Sequence, residues 1–136
     1  MARIPFTIHG ATPFQKLLGY NQVILSRWTG LSDAFENTGK LSPVLKEQVR
    51  RTLAFGNGCE YCQAKGRPSD VQIDPQVAIA VGFAEIFLQN YQNLDDSIFD
   101  VLRTVFDDQE IAELCSYICF MTASQMFGAV MKLEAE

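Results

Sequence analysis

Apolar residues recur every three or four positions along most of the chain, which is the spacing of one face of a helix. One such stripe follows Pro43, and another follows Pro13 and includes Phe14, Leu17, Leu18, Leu25 and Trp28. Residues 77–88 are apolar nearly all round, as in a helix that lies centrally in its domain or between subunits. No segment alternates cleanly between apolar and polar residues, so we predict an all-α helical bundle of about six helices.

Capping residues mark where these helices begin. Three predicted starts pair a capping side chain with a proline, which suits the first helical position: Thr12-Pro13, Ser42-Pro43 and Asp74-Pro75. A shorter helix is expected near residues 95–105. Asp107 and Glu110 stand at the spacing of a capping box, so the last helix is expected to begin there and to run to about Leu133.

Composition limits the class of protein. The chain of 136 residues is 48% hydrophobic and 20% charged, which fits one globular domain over residues 1–136 with a core at about 12–133. Its net charge of −5 argues against nonspecific binding to nucleic acid or to an anionic membrane. No apolar run reaches membrane-spanning length and the N-terminus lacks the features of a signal peptide. We therefore expect a cytoplasmic protein without a nucleic-acid or membrane partner.

Cys59 and Cys62 are the candidate reactive residues. They stand three positions apart, directly after the glycine-containing segment 55–58, which allows a sharp turn into a new helix. Thiols at this spacing close a disulfide with little backbone movement, and the first turn of a helix stabilises a thiolate. The pattern therefore favours a redox-active dithiol.

Other interpretations of the cysteines stay open at this point. Cys115 and Cys119 would complete a four-cysteine zinc site, although their apolar neighbours favour simple packing in the core. The pair at Cys59 and Cys62 is also compatible with inert reduced thiols. His9 is the only histidine in the chain and precedes the first helix, so it offers no ligand or base near either pair.

Glu47 has two interpretations. Its position on the helical wheel favours an exposed glutamate that pairs with Arg51 at i,i+4. The alternative places Glu47 under a neighbouring helix or subunit, where burial would raise its pKa and let it accept a proton from a thiol.

The arrangement Glu47, eleven residues, Cys59, two residues, Cys62 resembles the active-site motif of the alkyl hydroperoxidase D-like proteins, in the carboxymuconolactone decarboxylase superfamily. The segments 42–47, 77–85 and 106–114 are also similar to segments of that family, so the resemblance spans roughly residues 12–133. Two motif histidines are replaced, by Tyr61 and by Gly66.

The resemblance implies an all-helical fold that assembles as a homotrimer or homohexamer. It also implies a thiol-disulfide oxidoreductase with peroxidase activity, which reduces a hydroperoxide or disulfide substrate with electrons from a protein or small dithiol reductant. Cys62 takes the role of the thiol that attacks peroxide, Cys59 closes the disulfide, and Glu47 relays the proton. No cofactor or metal is expected. Loss of the histidines is expected to weaken turnover by about 10²–10⁴-fold, the usual contribution of general acid–base catalysis. The alternatives are a noncatalytic oligomeric scaffold and the zinc-stabilised module.

Overall fold

Helices form the chain throughout the residues that the structure, a computed structural model, describes, which are 1–69 and 74–135. These ranges contain seven α-helices, one 3₁₀ turn at Tyr91–Asn93 and no strand. The helices are α1 (Pro13–Leu18), α2 (Gln22–Asn37), α3 (Pro43–Asn57), α4 (Glu60–Gln63), α5 (Pro75–Asn90), α6 (Asp96–Arg103) and α7 (Asp108–Val130). The predicted all-α fold is confirmed.

The predicted helix starts are confirmed by their hydrogen bonds. The side chains of Thr12, Ser42 and Asp74 each accept a backbone N–H of the first turn, and proline follows each of them. At the start of α7, Asp107 accepts from the backbone of Glu110 while the Glu110 side chain accepts from the backbone of Asp107. These caps satisfy N–H groups that would otherwise lack a partner.

The stripe after Pro13 is divided between two helices, which gives one helix more than predicted. Helix α1 ends at Leu18, and the Asn21 side chain then accepts from the backbone N–H groups of residues 23 and 24 to start α2. Asn is a strong N-cap residue, so a second helix begins where the apolar spacing alone suggested continuity.

Glycines near the end of α3 have two different roles. Gly56 lies inside the helix, and a Cβ there would collide with the Leu88 side chain of α5. Gly56 thus permits the close approach of α3 and α5. The helix ends instead at Gly58, whose φ of +69° is left-handed. Helix α7 also ends slightly earlier than predicted, at Val130.

The core lies where α3 packs against both α5 and α7. Its most buried residues include Leu45, Val49, Leu53, Ala80, Phe83, Ala84, Leu114 and Ile118. Helix α3 is therefore central in the bundle, whereas α5 packs against α3 and α6 and leaves Ala78, Glu85 and Ile86 exposed. The expected central position of α5 within the domain is wrong, and the alternative position between subunits stays a prediction. Among the described residues, no helix is both long and apolar enough to cross a membrane. This packing brings the end of α3 beside the C-terminal half of α7 and places α4 between them.

Candidate active site

A disulfide joins Cys59 and Cys62 at the junction between α3 and α4, with Cα atoms 5.2 Å apart. Gly58 turns the chain sharply out of α3, and Cys59 is then the N-cap residue of α4. The backbone N–H of Cys62 donates to Cys59 Sγ over 3.2 Å. The glycine turn thus brings both sulfurs together, as their spacing predicted. Helix α4 is only a single turn, so a helix dipole supports the thiols less than the first turn of a longer helix would.

The two sulfurs are unequally accessible. Cys59 is 0% exposed, whereas Cys62 is half-buried and lines a cavity of about 500 Å³. An external molecule in this cavity meets the Cys62 residue and not Cys59. The disulfide therefore has one accessible and one buried cysteine.

Gly128 of α7 closes the inner side of the disulfide. A Cβ atom at Gly128 would lie 2.7 Å from Cys59 Sγ and 3.8 Å from Cys62 Sγ. Such a short contact forces a shift, because the cysteine side chain is short and tied to its partner. Gly128 was not among the residues predicted for the site, and its only signal in the sequence is a glycine inside an otherwise helix-forming segment.

We expect Gly128→Ala to displace α4 and to cost about 1–3 kcal/mol, the usual cost of overpacking a well-packed interior. Urea denaturation measures the stability, and the rate of reaction of the reduced thiols with iodoacetamide measures the disturbance at Cys62. Gly30→Ala in α2 is the matched control, because nothing lies within 4 Å of its added Cβ. Equal behaviour of the two variants would show that the close contact at Gly128 is unimportant.

Glu47 binds two arginines of its own helix. Its Oε1 lies 2.6 Å from Arg50 Nη2 and 3.4 Å from Arg51 Nε, so the expected pair with Arg51 is present and a closer one with Arg50 is added. Arg50 also donates through Nη1 to the backbone oxygen of Cys62 over 2.9 Å. Arg50, which was not among the residues predicted for the site, therefore connects Glu47 to the backbone of Cys62.

The pKa of Glu47 is lowered. Burial by itself raises the pKa of this carboxyl group, but the hydrogen bond and charge of Arg50, the charge of Lys65 and the hydrogen bond of Arg51 together outweigh it. The interpretation with a raised pKa is wrong, because a cation lies at hydrogen-bond distance from the carboxylate. Glu47 is thus ionised near neutral pH.

Gln125 holds the end of α3 in place and is only 2% exposed. Its side-chain amide donates to the backbone oxygen of Arg50 over 3.1 Å, and its Oε1 accepts from Asn57 Nδ2 over 2.9 Å. Asn57 is the last residue of α3, two positions before Cys59. Both polar atoms of the buried Gln125 side chain thus have hydrogen-bond partners. Gln125 is therefore a further residue that positions the site, and the sequence pattern did not reveal it.

The four cysteines do not converge, so the zinc-stabilised module is wrong. Cys59 packs against Gly128, whereas Cys119 lies nine residues earlier on α7, about 14 Å along the axis at 1.5 Å per residue. Zinc requires its four sulfurs within about 2.3 Å of one point. Across residues 1–69 and 74–135, no group of three or more His, Cys, Asp or Glu side chains is placed to hold a metal ion.

The second pair of cysteines is free. Cys115 is half-buried against the core, and burial, with a smaller effect of the neighbouring Cys119 thiol, raises its pKa. Cys119 is exposed, so only Cys115 follows the predicted core packing. His9 is exposed near the N-terminus. Of the two positions where the resembled motif has histidine, Tyr61 lines the cavity beside Cys62 and Gly66 adopts a left-handed φ of +91°.

Solved structures with the same fold were found, although no family model and no curated protein matches the sequence. An uncharacterized peroxidase-related protein from Silicibacter sp. TM1040 superposes with a TM-score of 0.80 at 16% identity, over 90% of this chain and 75% of that one. The debrominase Bmp8, as a Cys-to-Ala variant in complex with 2,3,4-tribromopyrrole, gives 0.79 at 17% identity over 95% and 79%. Apo Bmp8 gives 0.78 at 17% identity over 91% and 77%. The chain thus shares its helical fold with a peroxidase-related protein and a debrominase.

Proposed function

We propose that the protein is a cytoplasmic thiol-disulfide oxidoreductase that reduces organic hydroperoxides. The observation that carries this proposal is the unequal exposure of the disulfide, with Cys59 fully buried and Cys62 facing a cavity. A peroxidatic thiol must be accessible to its oxidant, whereas the second thiol needs only to reach the sulfur of the peroxidatic cysteine. The fold shared with a peroxidase-related protein supports the same reaction class.

The reaction balances with one hydroperoxide and one external dithiol. The Cys62 thiolate attacks the terminal oxygen, the O–O bond breaks, and the leaving alkoxide takes up a proton to become an alcohol. The resulting sulfenic acid is attacked by the Cys59 sulfur, which forms the disulfide and releases water. A dithiol reductant then returns two electrons and two protons by thiol–disulfide exchange. We propose that this cycle takes place in a homotrimer or homohexamer.

Reduced protein titrated with about one equivalent of tert-butyl hydroperoxide tests the proposal. Free thiols are trapped with iodoacetamide, and the modified cysteines are located by peptide mass spectrometry. We expect rapid formation of the Cys59–Cys62 disulfide while Cys115 and Cys119 stay reduced. Cys119 is the internal reference for an ordinary exposed thiol. Oxidation of Cys119 as fast as that of Cys62 would contradict a peroxidatic site and favour the noncatalytic scaffold.

Glu47 has the role of proton acceptor in this proposal. Its lowered pKa makes it a weak base, so it accepts the Cys62 proton only transiently, directly or through water. Arg50 keeps Glu47 ionised and gives positive charge near the Cys62 backbone. This pair takes the place of the histidine relay of the resembled motif.

Glu47→Gln is expected to slow thiolate formation at Cys62, because glutamine accepts no proton. Because Glu47 must be ionised to accept a proton, the difference between the variant and the unaltered protein persists wherever Glu47 is ionised and disappears as the pH falls through its lowered pKa. The rate of iodoacetamide alkylation of reduced Cys62 against pH measures it. Glu60→Gln is the control, because Glu60 is an exposed glutamate on α4. Faster alkylation of Cys62 in the Glu47→Gln variant would contradict the role of proton acceptor. It would show that Glu47 acts only by neutralising the charge of Arg50.

A further inference from the structure

The cavity beside Cys62 is much larger than hydrogen peroxide requires. Its volume is about 500 Å³, within the usual range for small-molecule sites, whereas one water occupies about 30 Å³ in the liquid. Residues of α1, α2, α3, α4 and α7 line it. A cavity of this size next to the accessible cysteine indicates an organic substrate that is considerably larger than hydrogen peroxide.

Part of the cavity wall is apolar and aromatic. Phe14 and Trp28 line it from α1 and α2, and Met121 lines it from α7. Trp28 is held in place, since its Nε1 donates to Ser124 Oγ over 3.2 Å and its ring lies 6.3 Å from that of Phe14. Because the indole N–H is already used, Trp28 offers a ligand its ring rather than a hydrogen bond.

Charges around the cavity are mixed, with a small excess of negative charge. Asp33 and Glu36 of α2 and Lys65 after α4 are exposed lining residues, and the fourth charged lining residue, Arg50, is paired with Glu47. With Arg50 neutralised by Glu47, the two carboxylates face one remaining cation, Lys65, so the lining has a small excess of negative charge that disfavours an anionic ligand. Together with the aromatic side chains of the wall, this favours an uncharged aromatic molecule over an anionic one.

We infer that the cavity is the substrate site and that its substrate class is an uncharged, aryl-substituted alkyl hydroperoxide, with the ring against Trp28 and Phe14 and the hydroperoxide group at Cys62. This inference rests on the proposed function. The step is the one given above, with an aryl-substituted alcohol as the product and an external dithiol as the reductant. Trp28 is then the specificity-determining residue, and hydrogen peroxide, which has no ring, is the poor substrate.

Binding is measured separately from the redox reaction. The oxidised protein is titrated with 2-phenyl-2-propanol, the alcohol formed from cumene hydroperoxide, and the fluorescence of Trp28, the only tryptophan in the chain, is followed. We expect a saturable change in fluorescence, and none with tert-butanol at the same concentrations. A linear change, or equal changes with both alcohols, would overturn the aromatic site even if the disulfide proved to be redox-active.

The kinetic test compares cumene hydroperoxide with hydrogen peroxide as oxidants of the reduced protein. Ala64→Phe adds a large side chain at an exposed position of the cavity lining. Ala34→Phe is the control, because Ala34 is an exposed residue of α2 that does not line the cavity. We expect Ala64→Phe to slow oxidation by cumene hydroperoxide about tenfold or more, with the rate for hydrogen peroxide unchanged. Trp28→Ala is expected to act in the same direction.

The outcomes separate the two proposals. Equal slowing with both oxidants would overturn the aromatic specificity, since it would place the effect on Cys62 itself. A second outcome is that no hydroperoxide forms the Cys59–Cys62 disulfide although the alcohol binds saturably. This result would overturn the peroxidase reaction, and with it the assignment of an aryl-substituted alkyl hydroperoxide as the substrate.

Discussion

Cys62→Ser is expected to abolish hydroperoxide reduction, whereas Cys59→Ser is expected to react once and then stop. Cys62 is the cysteine that faces the cavity, so without it no thiolate meets the oxidant. Without Cys59, which is fully buried beside it, Cys62 still attacks the O–O bond but its sulfenic acid finds no partner sulfur. The two variants therefore lose turnover for different reasons.

Dimedone labelling followed by peptide mass spectrometry distinguishes the two variants. Cys59→Ser should carry one dimedone adduct on Cys62 after one equivalent of tert-butyl hydroperoxide, and Cys62→Ser should carry none. Cys119→Ser is the matched control, since it removes an exposed thiol far from the disulfide, and it should retain full activity. A dimedone adduct on Cys59 in the Cys62→Ser variant, formed after the addition of hydroperoxide, would reverse the two roles. Turnover by either single variant would contradict the dithiol mechanism.

Lys46→Met is expected to destabilise the fold by about 3–5 kcal/mol, the usual cost of removing one partner of a buried ion pair. Lys46 Nζ lies 2.9 Å from Glu113 Oε2, and these side chains are only 7% and 13% exposed. Nζ also donates to the backbone oxygens of Phe35 and Thr38, while Glu113 Oε1 accepts from the backbone N–H of Lys40. Methionine would leave the carboxylate and two carbonyls without the cation that joins the α2–α3 connection to α7.

Urea denaturation followed by circular dichroism at 222 nm measures this change. Most small domains have a total unfolding free energy of about 5–15 kcal/mol, so the midpoint should fall steeply. Lys40→Met is the control, because Lys40 pairs with Asp107 at the surface, and an exposed ion pair adds little stability. The double variant Lys46→Met/Glu113→Leu should recover part of the loss, since it removes the stranded charge. Equal midpoints for Lys46→Met and Lys40→Met would show that the buried pair contributes nothing special.

Sequence patterns predicted the elements of this protein because their causes are local. A capping side chain reaches only three residues along its own helix, so the starts of α1, α3, α5 and α7 were visible in the sequence. The same holds for Cys59 and Cys62, whose spacing and preceding glycine bring the sulfurs together within one turn. The division of α1 from α2 was missed because Leu25 and Trp28, beyond Asn21, continue the helical spacing of Leu17 and Leu18.

Other parts of the site depend on residues that are distant in the chain. Gly128 and Gln125 lie on α7, far from Cys59 in sequence, and only the packing of α7 against α3 gives them a role. The sign of the pKa shift at Glu47 likewise required the position of Arg50, because burial and a nearby cation act in opposite directions.

The sequence by itself thus determined the helical class, the helix starts and the cysteine pair, because caps, helical spacing and a Cys-x-x-Cys turn act over a few residues. Only the tertiary structure decided which cysteine is accessible, that the four cysteines lie apart, and that α1 and α2 form an aromatic wall facing Cys62. The physical reason is that accessibility and cavities are produced by the relative placement of several helices, which no local pattern specifies.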